Sequence, residues 1–369
     1  MKTVELGSTG TQVSQLALGS MLMGTSTDEA TSVRILEDFV AEGGTFVDTA
    51  NCYAWWHSSE SSGHESEELL GRWFTGSGKR DEVFLATKGT AQVPDRADVW
   101  AGRSEPDWDL ARQRYEGAGA DTVRRAIDDS LRRLKTDHVD LWYVHVDDRG
   151  TPLEETLEAL AGIVEAGKAR YIGWSNVHTW RVERIRRLCA QHGWPTPVAL
   201  QQQHTYLRRR AGLQHSSIVD DEQWDYLTAH PDLTLVAYSP ILKGVYDDPA
   251  KRVGHWAMGP YEGPDAEARI AVLTAVAAEV GATPNQVVLA WHLRQRNPRV
   301  IPLMGPRTWE QYRAGMDALD VVLSDEQFAR LEAAGAQPAV GARTSRIWPA
   351  HGSSGTDRTT SVSVKPVRR

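Results

Sequence analysis

Short apolar runs alternate along the chain with longer segments in which apolar residues recur at helical spacing. The runs lie at 15–18, 45–48, 82–88, 139–145, 169–174, 198–202, 233–238 and 300–303. Each is of strand length, and the alternation with helix-length segments is the pattern of repeated βα units around a parallel sheet. In the segment 121–134, Val123, Ile127, Leu131 and Leu134 share one helical face while Arg124, Arg125, Asp128 and Asp129 point elsewhere. Segments 156–165, 180–191, 265–280 and 309–319 repeat that pattern, with Gly167, Gly193 and Gly281 as stops. Eight such units predict an α/β fold, a (β/α)8 TIM barrel with its reactive groups at the C-terminal strand ends. The barrel is expected to fill residues 1–339 as one domain. The tail 340–369 is rich in Ser, Thr, Gly and Arg, which predicts a mobile end, although Ile347, Trp348 and Pro349 could dock over the barrel mouth. Three connections, 89–120, 203–217 and 239–264, exceed the usual few residues, and long loops at that face often carry function.

The bulk numbers narrow the partners. At 369 residues, 41% hydrophobic and with a formal charge of -8, the chain can bury one large core and would repel nucleic acid or an anionic membrane. Its two cysteines, Cys52 and Cys189, lie far apart without companions at metal spacing, so neither a disulfide framework nor a metal site is indicated. Residues 1–24 lack the apolar core of a signal peptide, and no stretch is apolar for the length of a membrane span, so the expected compartment is the cytoplasm. The sequence leaves the oligomeric state open.

Four ionisable residues each stand just beyond an apolar run: Asp48, Tyr53, Lys88 and His145. A phenol, an ammonium, a carboxylate and an imidazole brought together can protonate a carbonyl oxygen while a hydride reaches its carbon. A free phenol has a pKa of roughly 10, so Tyr53 as general acid needs help, and a neighbouring ammonium, held charged by Asp48, is expected to lower it. Taken singly, each residue has a plainer explanation: a loop tyrosine, an internal ion pair, a core histidine satisfied by backbone. Asp147 and Asp148 are expected to be solvated loop charges. No Gly-x-Gly-x-x-Gly follows the first run, so a Rossmann cofactor site is not supported.

The segments Val47-Asp48-Thr49-Ala50-Asn51-Cys52-Tyr53, Ala86-Thr87-Lys88, His145, Gly173-Trp174-Ser175-Asn176 and Tyr238-Ser239-Pro240 together resemble the aldo-keto reductase family, from about residue 4 to about residue 332. The resemblance implies reversible reduction of an aldehyde or ketone to an alcohol with a nicotinamide cofactor, Tyr53 acting as acid and His145 orienting the carbonyl. It implies that Ser20 and Met21 at the first strand end belong to the cofactor site. Ser175, Asn176 and Gln203 would bind the nicotinamide carboxamide, and Tyr238 would stack on the ring. Strand-end Ser and Asn also serve as helix caps. Ser239, Pro240, Ile241, Lys243 and Gly244 resemble the loop that folds over the pyrophosphate. Gly305 and Arg307 lead into a helix, a phosphate site that favours NADP(H), with NAD(H) not excluded. Gln311 is a candidate near the adenine, and Gly315 departs from the asparagine that relatives often carry there.

Trp55, Trp56, Trp100 and Trp108 are candidates for an aromatic substrate wall around a small carbonyl compound. The Lys88-to-His145 interval is longer than usual in the family, which puts substrate choice in the 89–120 loop. Two other readings use the same residues: oxidation of a sugar or aryl alcohol in the reverse direction, and a slow regulatory barrel that senses NADP redox state.

Overall fold

The computed structural model describes residues 1–335, which form one compact unit. The expected domain end at 339 and the tail with Ile347, Trp348 and Pro349 lie outside the described residues. Two short strands, β1 (Thr3–Glu5) and β2 (Gln12–Ser14), pair antiparallel. Eight more form a closed parallel barrel: β3 (Ala17–Gly19), β4 (Phe46–Asp48), β5 (Phe84–Gly89), β6 (Val139–Val144), β7 (Ala169–Ser175), β8 (Ala199–Gln203), β9 (Thr234–Tyr238) and β10 (Val300–Met304), with β10 closing against β3. This is the (β/α)8 barrel. Every one of the eight apolar runs overlaps a barrel strand, and five of the strands extend one residue beyond their run. The first run begins too early, because Gln15 belongs to the link after the hairpin, where its amide donates to Lys2 O at 3.1 Å.

The helices follow the periodicity as well. They span Ala120–Leu134, Leu153–Glu165, Thr179–His192 and Pro264–Val280, and Gly193 and Gly281 end theirs in the left-handed conformation. The expected helix 309–319 stops at Met316 and tightens into a 3-10 turn over Asp317–Asp320. The long connections are not bare loops: Ala97–Trp100 and Trp108–Gln113 are short helices in 89–120, and Pro249–Arg252 and Trp256–Tyr261 add helical turns in 239–264. Among the described residues no single helix is long and apolar enough to cross a membrane.

Alternation along the strands separates two cores. Leu85, Trp142, Val144, Ile172, Trp174, Leu200 and Leu235 face the surrounding helices. Phe46, Phe84, Ala86, Leu141, Tyr143, Ala199, Val236 and Ile301 fill the cylinder. Leu6 and Val13 of the hairpin join that inner cluster, so the hairpin plugs the N-terminal end of the barrel. Arg299 donates from one guanidinium nitrogen to Glu5 O at 2.6 Å and Gly7 O at 2.8 Å, fastening the plug to the wall. Gly7 has φ +56, and a Cβ there would stand 2.6 Å from Asp232 O.

Inside the cylinder, Gly173 makes room for the ring of Tyr143, which a Cβ would approach to 2.5 Å. Gly173→Ala is therefore expected to destabilise the barrel by about 1–3 kcal/mol, as overpacking a filled core does. Urea unfolding reads this out; an unchanged midpoint would mean the ring shifts freely.

Candidate active site

Period-two alternation puts Asp48, Lys88 and Gln201 in the lumen directly above the apolar layers. The strand ladder aligns them, since Asp48 pairs with Ala86 across β4 and β5, and Ser175 with Gln201 across β7 and β8. Asp48 and Lys88 are wholly buried. Burying an ion pair is expensive unless every donor and acceptor is matched, and here each one is. Lys88 Nζ donates to Asp48 Oδ1 at 2.5 Å, Tyr53 Oη at 2.6 Å and Thr49 O at 2.7 Å, which uses the three protons of an ammonium. Gln201 Nε2 donates to Asp48 Oδ2 at 2.8 Å, and the Tyr53 hydroxyl reaches Asp48 Oδ1 at 3.4 Å.

Burial dominates the titration of all three groups. It raises Asp48 and lowers Lys88, and in both cases the partner's charge opposes it. Tyr53 is raised well above the usual phenol value, first by burial and then by the Asp48 carboxylate. The expected lowering by Lys88 is thus outweighed, and the phenol keeps its proton. His145 lies edge-on to Tyr53, ring centroids 5.6 Å apart, and burial followed by the Lys88 charge depresses it to about 3, so its imidazole is neutral.

Around this network the strand tips are knitted together. Asn176, at φ +53, donates from Nδ2 to His145 O at 2.7 Å and to Ser175 Oγ at 3.1 Å, and accepts from Tyr238 Oη at 2.9 Å. Ser175 Oγ donates to Gln201 O at 2.6 Å, and Gln203 Nε2 donates to Tyr261 Oη at 2.9 Å. Neither Ser175 nor Asn176 caps the next helix, Thr179–His192, whose N-cap is His178. The 239–244 turn is wound through left-handed residues Ser239, Leu242, Lys243 and Gly244.

Lys243 is lowered by desolvation and then by the like charges of Arg307 and Lys251. Among the described residues none of these three cations forms an ion pair. Arg307 precedes the helix Trp309–Met316, whose N-cap Thr308 accepts from Gln311 N. Unpaired like charges converging at a helix N-terminus suit an anionic ligand.

A sequence profile of the aldo/keto reductase family matches residues 15–336. The chain belongs to this family. It is similar to the uncharacterized oxidoreductase YrpG of Bacillus subtilis (strain 168), at 32% identity over 88% of this chain and 93% of the relative. It is also similar to the aryl-alcohol dehydrogenase [NADP(+)] of Phanerodontia chrysosporium, at 26% identity over 86% of this chain and 81% of that one. Among solved structures it resembles a thermostable aldo-keto reductase, Tm1743, in complex with the inhibitor epalrestat, with a TM-score of 0.65, 26% identity, 90% of this chain and 99% of that chain covered. The protein is an NAD(P)-dependent oxidoreductase.

Within this aldo-keto reductase several residues do other work than expected. Ser20 is fully buried and its hydroxyl donates to Asp48 O at 2.9 Å and meets Ser66 Oγ at 2.8 Å, so it braces a strand tip and offers no hydroxyl to a cofactor. Met21 beside it is half-buried. Gln311 Oε1 accepts from Arg307 N at 2.9 Å and serves the helix start, which leaves only its Nε2 for an adenine. At Gly315 a Cβ would meet the Met304 sulfur at 2.8 Å, so the asparagine common in relatives would need Met304 to move.

Asp147 and Asp148 are half-buried and held by partners, where free loop charges were expected. Asp147 pairs with the buried Arg181 at 3.1 Å, and Asp148 accepts from Ala118 N, Gly150 N and Thr151 Oγ1, pinning the end of the 89–120 loop.

Trp55, Trp56 and Trp108 pack mutually at 5.3–6.0 Å, with Trp55 3% exposed and Trp108 38% exposed. Trp100 stays outside that trio, buried, its indole N–H without an acceptor among the described residues. Gln201 was not anticipated. Its signal is the polar run Gln201-Gln202-Gln203 inside a buried strand, where Gln202 points outward to Val177 O and Gln223.

Lys88→Met would leave Asp48 buried without its ion partner, at a cost of about 3–5 kcal/mol. Asp48 would then bind a proton on folding, so stability should be greatest at low pH and fall as pH rises above the ordinary carboxylate range. Adding Asp48→Asn should restore part of the loss and flatten the dependence. Urea unfolding across pH checks both; a single variant insensitive to pH would contradict the pairing.

Proposed function

We propose that this enzyme reduces an aldehyde or ketone to the alcohol with NADPH, and that Tyr53 is the general acid. The observation that carries the reading is the Tyr53 hydroxyl held 2.6 Å from a buried ammonium that Asp48 and Thr49 O fix in place. A phenol that keeps its proton in the resting protein is the acid form required. As charge grows on a carbonyl oxygen beside it, the proton passes from Oη to that oxygen, and the phenolate left behind is stabilised by Lys88. Asp48 and Gln201 hold Lys88 and its countercharge still, so no polar group has to reorient during the step. Neutral His145 donates a hydrogen bond to the same oxygen and fixes its approach.

The nicotinamide, when bound, supplies the hydride. Ser175, Asn176, Gln203 and Tyr238 would hold that end, with Met21 beside the first strand tip and the 239–244 turn along the pyrophosphate. Lys243 and Arg307, joined by Lys251, would hold the extra phosphate, and their lack of carboxylate partners among the described residues supports NADPH over NADH. Gly305 supplies the bare approach to Arg307. The Trp55, Trp56 and Trp108 group supports an aromatic or otherwise apolar carbonyl compound. The similarity to an aryl-alcohol dehydrogenase favours an aryl alcohol and aldehyde as one such pair, run in either direction.

Tyr53→Phe should lower carbonyl reduction by about 10²–10⁴-fold, the usual worth of a positioned acid, while NADPH binding, read by fluorescence titration, stays near wild type. The wild-type kcat/KM should cross the ordinary histidine range near pH ~6.5 without inflection, because His145 is already neutral, and fall only where the phenol ionises. Wild-type turnover in the variant would end the assignment.

Arg307→Ala should weaken NADPH by about tenfold or more, as loss of one charge-assisted phosphate contact does, and NADH hardly at all. Equal losses for the two nucleotides would remove Arg307 from the phosphate site.

A further inference from the structure

Tyr53 has its partners in Lys88 and Asp48, but the orientation of His145 needs its own cause. Among the described residues the ring's one hydrogen-bond partner is the thiol of Cys52, with Sγ 3.5 Å from Nδ1. The geometry points to Cys52 as a positioning residue for His145: its S–H donates to Nδ1 and thereby fixes the neutral imidazole in the tautomer that carries its proton on Nε2. The inference rests on the reading of His145 as the group that meets the carbonyl oxygen.

Three observations carry it. First, the two tautomers have opposite consequences. With the proton on Nε2 the ring offers a donor to the carbonyl oxygen, whereas with the proton on Nδ1 it would present a lone pair to a lone pair. Second, Cys52 is held where the contact needs it. It is 3% exposed, packed with Trp55, Ala91, Val93 and Val99, with Val146 against the same cluster, and it forms no disulfide. Third, the thiol keeps its hydrogen, because burial and then the negative charge of Glu116 oppose the thiolate. A thiol that keeps its hydrogen, facing a neutral imidazole, can donate S–H to Nδ1 or accept Nδ1–H at Sγ; the first alone leaves Nε2–H for the carbonyl oxygen, and it is the arrangement proposed. The weak thiol donor is enough because nothing else among the described residues competes for Nδ1.

The test is the tautomer itself. In ¹⁵N-histidine-labelled protein with NADP+ bound, the His145 signals, assigned by their loss in His145→Gln, should report the Nε2–H tautomer. In Cys52→Ala they should shift to a mixture, and kcat should fall about tenfold, the lower range for losing a partner that orients a working histidine, with NADP+ affinity unchanged. Cys52→Ser keeps a donor at the same place and should restore both.

A wild-type ring protonated on Nδ1, or an alanine variant with reduced kcat and an unaltered tautomer, would overturn the proposal, the latter assigning Cys52 to packing alone. Should Cys52→Ala fail to fold, the wild-type and serine spectra decide, since both must show Nε2–H. Undiminished reduction by His145→Gln would instead sink the role given to His145 and leave the tautomer result standing.

Discussion

A lysine and an aspartate stripped of water at the centre of a protein are tolerable only if every hydrogen-bonding position around them is filled. That requirement organises the upper half of this barrel. Lys88 asks for three oxygens and finds them in Asp48, Thr49 and Tyr53; Asp48 asks for a second donor and finds Gln201. The groups come from β4 and the loop after it, from β5 and from β8, so the network can be complete only when the cylinder is closed and in register. The chemistry and the fold are therefore specified by the same contacts. A slip of one residue in β5 would turn Lys88 outward among the helices and leave Asp48 alone.

The layers beneath explain why the charges sit where they do. Phe46, Phe84, Leu141 and Tyr143 fill the lumen with apolar bulk, and only the last inward position of β4 and β5 is charged. Water is kept from below by packing and from the sides by the strands. The tips are then tied to each other by Asn176, whose single side-chain amide bridges the chain at His145, Ser175 and Tyr238. Tyr53, its charged partners and the neighbouring imidazole are thus set on strand ends or just beyond them, and the longer loops carry aromatic surface.

Much of this was legible in the sequence because it follows from short-range rules. Eight apolar runs gave eight strands, since a strand buried on both faces needs continuous apolar residues, and the helices showed their buried faces by period. Asp48, Tyr53, Lys88 and His145 could be read as a group because each ends an apolar run or lies a few residues after one, and the structure brings them together. What escaped depends on partners distant in the chain. Gln201 reads as strand polarity until Asp48 is seen opposite it. Asp147 reads as a loop charge until Arg181, on the helix Thr179–His192, closes on it. Ser20 reads as a strand-tip hydroxyl open to a ligand until Ser66 takes it. Hydrophobic periodicity carries no information about such pairings, and neither did it reveal the helical turns within the 89–120 and 239–264 connections.

The hairpin ahead of the first barrel strand has an effect on turnover that its distance from Tyr53 hides. With Leu6 and Val13 stopping the floor, the cylinder is a cul-de-sac: reactant, product and solvent all use one doorway, the ring of loops at the strand tips. Arrival and departure are coupled by that shared aperture, so a change that widens it for a bulkier guest also loosens its hold on the guest already inside.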